Sequence, residues 1–283
     1  MKNKTLRFIF ITPVILYTLL LIVLPLLYIL TISFFKSDFY GGMIYDFTLE
    51  NYKELFNLVY LRIFINSIVI ALVTTLICIL ISYPFVLAIS HKSKKAQQII
   101  MTLVMVPFLT NSLIRMYGWI VLLRKSGAIN ELLLNFNIID NPLSLMYNNI
   151  GIIIGMVYTF IPFMILPLYN AVSNIDKYTL EAASDLGASK IKRFFNIILP
   201  QTLSGLFNGA IMVFTPALGC FFIIDILGGG KIMILGNLIK NQFLTARNWP
   251  FGAAISVFLI LLTTILILIY KKIGGKMDDL GGL

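Results

Sequence analysis

Glu181 to Lys190 reads EAASDLGASK, a polar, alanine-rich stretch set between two apolar runs. Glu181 and Asp185 are its acidic side chains, Ala182 and Ala183 add little bulk beside them, and Gly187 interrupts the pattern. These residues suit recognition rather than bond-making. A short helix with a small-residue face and a charge fits a groove on another protein. An ordinary connector between two apolar segments accounts for the same residues, and both readings stand at this point. Catalysis has less to draw on. The sequence holds one histidine, His91, and no paired carboxylates inside an apolar run, so a hydrolytic or metal centre lacks its residues. No GxxxxGK[ST] occurs, so the chain carries no P-loop for a nucleotide.

The elements around this stretch follow from local signals. Asp176 is placed to cap a helix running through Leu180, Glu181, Ala182, Ala183 and Leu186. Gly187 supplies the left-handed residue that ends helices. Ser189 can cap a second helix, in which Ile191, Phe194, Phe195 and Ile198 recur at helical spacing. Lys190, Lys192 and Arg193 fall between them, so this helix is expected along a membrane surface with its basic side toward anionic lipid headgroups. Pro200 is expected to close it.

The rest of the chain is apolar in blocks. Mean hydropathy is +0.94 and 12% of residues are charged, against roughly a quarter in soluble domains. A helix needs about 20 apolar residues to cross a bilayer core of roughly 30 Å. Six stretches approach or exceed that length: 8–32, 64–89, 99–123, 150–172, 203–224 and 251–270. The predicted fold is therefore an all-α polytopic membrane protein with six transmembrane helices, a single transmembrane domain over 1–283 and a cytoplasmic loop at 173–200. The first run follows Lys2, Lys4 and Arg7 but is too long for a signal-peptide core, and is read as a retained span. Cys78 and Cys220 lie within apolar runs and read as packing hydrophobes.

The net charge of +10 does not indicate nucleic acid. Basic residues concentrate in the segments that six spans would put on one side, above all in SHKSKK at Ser90–Lys95, and short basic loops stay cytoplasmic. Both termini are accordingly expected in the cytoplasm. Between spans, Thr48 can cap a short helix beginning near Glu50, and Gly127–Leu143 reads as a second surface helix. Seven prolines (Pro13, Pro25, Pro84, Pro107, Pro162, Pro167 and Pro216) fall within the spans and should kink or break them. Gly151/Gly155 and Gly205/Gly209 permit close helix contacts.

Glu181-Ala182-Ala183, then Gly187, then Ile197-x-Leu199-Pro200 resembles the EAA motif of ABC importer permeases at every defined position. The resemblance implies the type I importer permease fold and a location in the bacterial cytoplasmic (inner) membrane. It also implies that the loop is a coupling helix, with Glu181, Ala182, Ala183, Asp185, Gly187 and Pro200 receiving the motion of a separate ATPase. Implied partners are a second homologous permease, an ATPase dimer that carries the ATP and magnesium, and an extracytoplasmic binding protein. No cofactor is expected on this chain. ATP-driven closure of the ATPases would open the spans outward, solute would enter between the two permeases, and hydrolysis would reset them.

Val106–Trp119, Pro162–Asn170, Asp225–Leu244 and Asn248–Ala254 also look like B-type permeases of spermidine/putrescine importers, over essentially the whole chain. Permeases for other solutes, ferric iron or an opine-type amine among them, share the scaffold. A polyamine needs spaced carboxylates and aromatic faces. Asp225, near the outer end of the fifth span, is the acidic candidate, while pairing with Lys231 or capping the next helix accounts for it equally. Tyr117, Trp119, Asn111 and Tyr158 are candidates to line a path, with packing as the alternative for each. Arg115 is awkward for a cation path and reads as structural, pairing with a carboxylate or with carbonyls. A secondary transporter would need internal repeats and midplane acids, which are not found. A membrane scaffold would leave the motif unexplained.

Overall fold

The computed structural model describes residues 11–272. Lys2, Lys4, Arg7, Phe8 and Lys276, which entered the span and orientation readings, lie outside the described residues, as do both termini. Five helices are long and apolar enough to cross a membrane, or six if one bent pair counts as a span. They are α1 (Ile11–Ile32), α3 (Leu58–Ser90), α7 (Asn149–Ser173), α9 (Lys190–Gly219) and α12 (Trp249–Lys272). Shorter helices lie between them: α2 (Glu50–Glu54), α4 (Lys94–Met105), α5 (Ser112–Leu123), α6 (Ala128–Asn135), α8 (Lys177–Asp185), α10 (Phe221–Gly228) and α11 (Leu235–Leu244).

The chain divides into two compact units: Met1–Arg62 with Leu238–Thr263, and Ile63–Asn237 with Thr264–Leu283. The first contains the one departure from an all-α fold among the described residues. Strands β1 (Phe35–Ser37) and β2 (Met43–Phe47) form an antiparallel hairpin, with Lys36 opposite Ile44 and Ser37 opposite Met43. Strands of three and five residues carry too few alternations to show a period of two in sequence. Its turn uses Gly41 and Gly42 at positive φ. Phe34 stacks on Phe47 at 5.5 Å, and Asn51 donates to the carbonyls of Ser33 and Phe35, tying α2 to the hairpin. Thr48 Oγ1 accepts from the Glu50 N–H at 3.1 Å, one residue ahead of the N-cap position, which is Leu49 rather than the expected Thr48.

In the second unit α7 is the most buried of the long helices, and α9 packs along it. A side chain at Gly205 would meet Ala171 Cβ at 2.5 Å, and one at Gly209 would meet Met164 Sδ at 2.7 Å. The four-residue glycine spacing is therefore a true contact face. Gly155 does the same for α10, where Leu227 and Ile223 close on it. Tyr83, Val86, Ile165, Leu168 and Val172 form a buried cluster joining α3 and α7, with Phe194, Ile198 and Leu199 of α9 packed against it.

Four expectations about helix extents change. Pro200 does not close a helix, because α9 runs unbroken from Lys190 to Gly219. A π-turn at Phe194–Ile198 precedes the proline, with the Leu199 N–H reaching back to Phe194 O. The wider turn relieves the clash that a proline ring makes in an α-helix. A second π-turn, Leu19–Val23, stands in the same relation to Pro25. The 203–224 stretch is split instead at Cys220, beyond which α10 begins. The 99–123 stretch is not straight either: Lys94–Leu109 and Ser112–Asn135 meet at a 95° bend. Finally, α6 stops at Asn135 rather than running on to Pro142, because Asn137 adopts φ +52° and its neighbours close the helix end. The proline-containing helices α3 and α7 continue through Pro84, Pro162 and Pro167.

Candidate functional site

Two groups of residues stand out, both within the second unit. The first is the loop from α8 to the start of α9. Asp176 Oδ1 accepts from the Tyr178 N–H at 3.0 Å and caps α8. At the other end the Gly187 N–H donates to Ser184 O and the Ala188 N–H to Ala183 O, both at 2.9 Å, with Gly187 at φ +77°. This is the paired bond pattern that a left-handed residue makes possible at a helix C-terminus. Ser189 Oγ then accepts from the Lys192 N–H at 3.3 Å and starts α9. The Arg193 guanidinium donates to Ser184 Oγ, so the two helices are tied side chain to side chain.

This construction leaves the face of α8 open. Glu181, Ala182, Asp185 and Gly187 are exposed, Ala183 is half-buried, and Pro200 is exposed on α9. Beside them stand exposed apolar side chains: Leu186 and Ile191, which sequence reading placed on the two helices without a partner-facing role, are 87% and 71% exposed, and Tyr178, which it did not single out, is 78% exposed. Their signal was present, since an apolar residue flanking a helix-ending glycine has no core to enter unless a partner supplies one. The loop therefore offers carboxylates, small side chains and apolar knobs on a rigid, doubly capped frame.

The second group surrounds the 95° bend. Asn111 accepts from the Leu113 N–H at 2.8 Å and caps α5, starting the helix after the break. One turn on, Arg115 lies over the rings of Phe108 at 5.5 Å and Tyr158 at 5.8 Å. Trp119, one further turn along, meets Tyr158 edge-on at 5.3 Å, and Phe108 meets Phe163 at 4.8 Å. The structure thus brings Trp119 and Tyr158 together and adds Phe108, Phe163 and Arg115 to them. Tyr117 points elsewhere and is exposed. Arg115 pairs with aromatic faces rather than with the carboxylate or carbonyls expected for it.

Asp225 is not part of this cluster. Helix α10 turns Ile223, Ile224 and Leu227 inward, with Ile223 and Leu227 against Gly155, and leaves Asp225 exposed on the other side. Its Oδ1 accepts from Asn237 Nδ2 at 2.6 Å. Asn237 also donates to Phe221 O, and Leu235 N–H donates to Ser67 Oγ at 2.9 Å, so Asp225 belongs to a network fastening α10 to the start of α11. Cys78 and Cys220 are buried and unpaired.

Residues 81–279 match the family described as the binding-protein-dependent transport system inner membrane component. The chain belongs to that family. It is a multi-pass inner-membrane permease with the fold of ABC importer permeases. The spermidine/putrescine transport system permease protein PotB of Haemophilus influenzae is 43% identical over 251 residues, covering 89% of this chain and 88% of the relative. A crystal structure of a bacterial ABC transporter involved in the import of the acidic polysaccharide alginate is similar with a TM-score of 0.79, at 15% identity over 96% of each chain. A second, of a bacterial alginate ABC transporter in complex with a pentasaccharide-bound periplasmic protein, gives 0.75 at 17% identity, covering 95% of this chain and 93% of the other. At those identities the two structures show the fold.

Proposed function

We propose that this chain is the permease subunit of an ATP-driven importer for polyamines, spermidine and putrescine, working by alternating access. The observation that carries the substrate is the 43% identity, over most of both chains, with a permease named for spermidine and putrescine. The exposed, capped α8 supports the coupling role. Glu181, Ala182, Ala183, Asp185 and Gly187 would dock in a cleft of a separate ATPase, which holds the ATP and magnesium. Pro200, within α9, fixes the π-turn that connects that loop to the membrane helix. Further partners in this reading are a second homologous permease and an extracytoplasmic binding protein that selects the polyamine and hands it on.

Asp225 is retained as a candidate for drawing a cation along the path, in a carboxylate already held by Asn237. Reconstitution with the ATPase, the second permease and the binding protein tests the reading. Labelled spermidine should enter proteoliposomes only with ATP, and ATP-independent accumulation would sink the ABC assignment. Asp225→Asn keeps an acceptor oxygen for Asn237 and should lower flux without loss of assembly. Unchanged flux would leave Asp225 as a structural partner of Asn237.

A further inference from the structure

Arg115 carries a guanidinium, a planar cation with five N–H donors and no acceptor. Its Nε is buried without a hydrogen-bond partner, and no carboxylate pairs with it among the described residues. What holds the guanidinium is the pair of rings of Phe108 and Tyr158, at 5.5 and 5.8 Å, within the range of cation–π attraction. Guanidinium, rings and the neighbouring Trp119 are all half-buried, so the cluster opens onto the surface of the unit. The bent pair of segments that carries Arg115 is apolar enough to count as a span. A charge on such a segment faces a bundle interior or a water-filled cavity rather than lipid. Arg115 therefore faces away from lipid, against two rings whose faces attract a cation.

The cation held there is the protein's own. An ammonium group entering from outside would seek the same two ring faces and would meet a like charge at contact distance, where repulsion in a partly desolvated site is strong. We infer that Arg115 is a resident plug: its guanidinium occupies the aromatic cation site of the path and must leave it before a substrate amine can use those faces. The lever is close by. Arg115 lies in the first turn of α5, its N–H bonded to Asn111 O at 3.2 Å, so a change in the 95° bend carries the guanidinium with it. The plug keeps organic cations from leaking through the resting importer and releases the site when the helices move. This assignment of the displacing amine rests on the polyamine reading; the blocking of cations in general does not.

The test uses the assembled importer in liposomes, without ATP or binding protein, and follows passive efflux of labelled tetramethylammonium, a permanent cation, through the protein. Arg115→Gln should raise that efflux about tenfold or more, whereas Arg115→Lys, which keeps a cation on the rings, should stay near wild type. Tyr158→Leu removes one of the two faces and should leak by a smaller factor, which keeps the proposal open to test if Arg115→Gln does not assemble. Unchanged efflux in an assembled Arg115→Gln or Tyr158→Leu importer overturns the plug. So does loss of the second permease on purification of both Arg115→Gln and Tyr158→Leu, since that would make the arginine an interface residue. The polyamine reading fails separately, by absence of ATP-driven spermidine uptake in the wild type.

Discussion

The coupling loop and the aromatic cluster are both built around charged residues on short helices, yet their construction differs. The capping bonds that shape the loop join near neighbours, Asp176 to Tyr178, Gly187 to Ser184, Ala188 to Ala183 and Ser189 to Lys192, and the tie from Arg193 to Ser184 spans nine positions. The cluster joins α5 and the turn before it to α7, tens of residues away in sequence. The loop is consequently a rigid, exposed surface awaiting a partner, whereas the cluster depends on how a bent pair of helices leans on α7. One region transmits motion through a fixed shape; the other changes what it holds when the shape changes.

The sharpest way to break that contrast is Gly187→Val. No atom lies within 4 Å of the site a Cβ would take, so the substitution perturbs nothing but the backbone at φ +77°. That strain is about 1–3 kcal/mol. Uptake driven by ATP should fall about tenfold or more while ATP hydrolysis continues, whereas Gly187→Asn, which tolerates the left-handed region, should keep most of it. Equal behaviour of the two variants would show that the loop does not act through its fixed turn.

A smaller effect is expected where the loop meets the tertiary core. Tyr83 hydrogen-bonds Thr202 across α3 and α9, and its ring lies edge-on to Phe194 in the π-turn, at 5.1 Å. Thr202 Oγ1 is also bonded to Ile198 O at 2.8 Å, so Tyr83→Phe leaves no orphaned hydroxyl there and removes about 1 kcal/mol. A few-fold drop in the ratio of transport to ATP hydrolysis, with normal assembly, would make this contact the junction between the two regions. An unchanged ratio would confine it to packing.

The smallest effect belongs to the hairpin. Lys36 Nζ donates to Asp46 Oδ2 at 2.6 Å, and the hydrogen bond and charge of Asp46 hold the Lys36 ammonium above its ordinary pKa. A lysine raised on folding contributes fully at pH below its unfolded value, and the contribution is lost as pH climbs through the raised one. Protection of the β1 and β2 amides, taken relative to the intrinsic exchange rate at each pH, should therefore fall in strongly alkaline buffer, and Asp46→Asn should abolish that fall. Persistence in Asp46→Asn would assign the alkaline effect to another group.

Legibility followed the same division. The caps at Asp176 and Ser189, the left-handed Gly187 and the apolar runs were readable because each depends on residues a few positions apart. Pro200 was misread as a stop, since the wider turn that accommodates it is supported by packing of Phe194 and Ile198 on Tyr83 and its neighbours. Tyr117 was grouped with Trp119 and Tyr158 by type, but a two-residue offset on α5 puts it on another face of the helix. Phe108 and Phe163 carried no signal of their own among 22 phenylalanines.

By itself, then, the sequence determined a chain of membrane-length apolar helices and a rigid polar loop with a left-handed stop, because length, hydropathy and capping are local properties. Only the tertiary structure decided that Arg115 rests on two rings instead of a carboxylate, that Asp225 is bound to Asn237, and that Tyr83 finds Thr202 119 positions away. In a chain where almost every long helix is apolar all round, pattern cannot say which face meets which neighbour. That choice belongs to the close approaches at Gly155, Gly205 and Gly209.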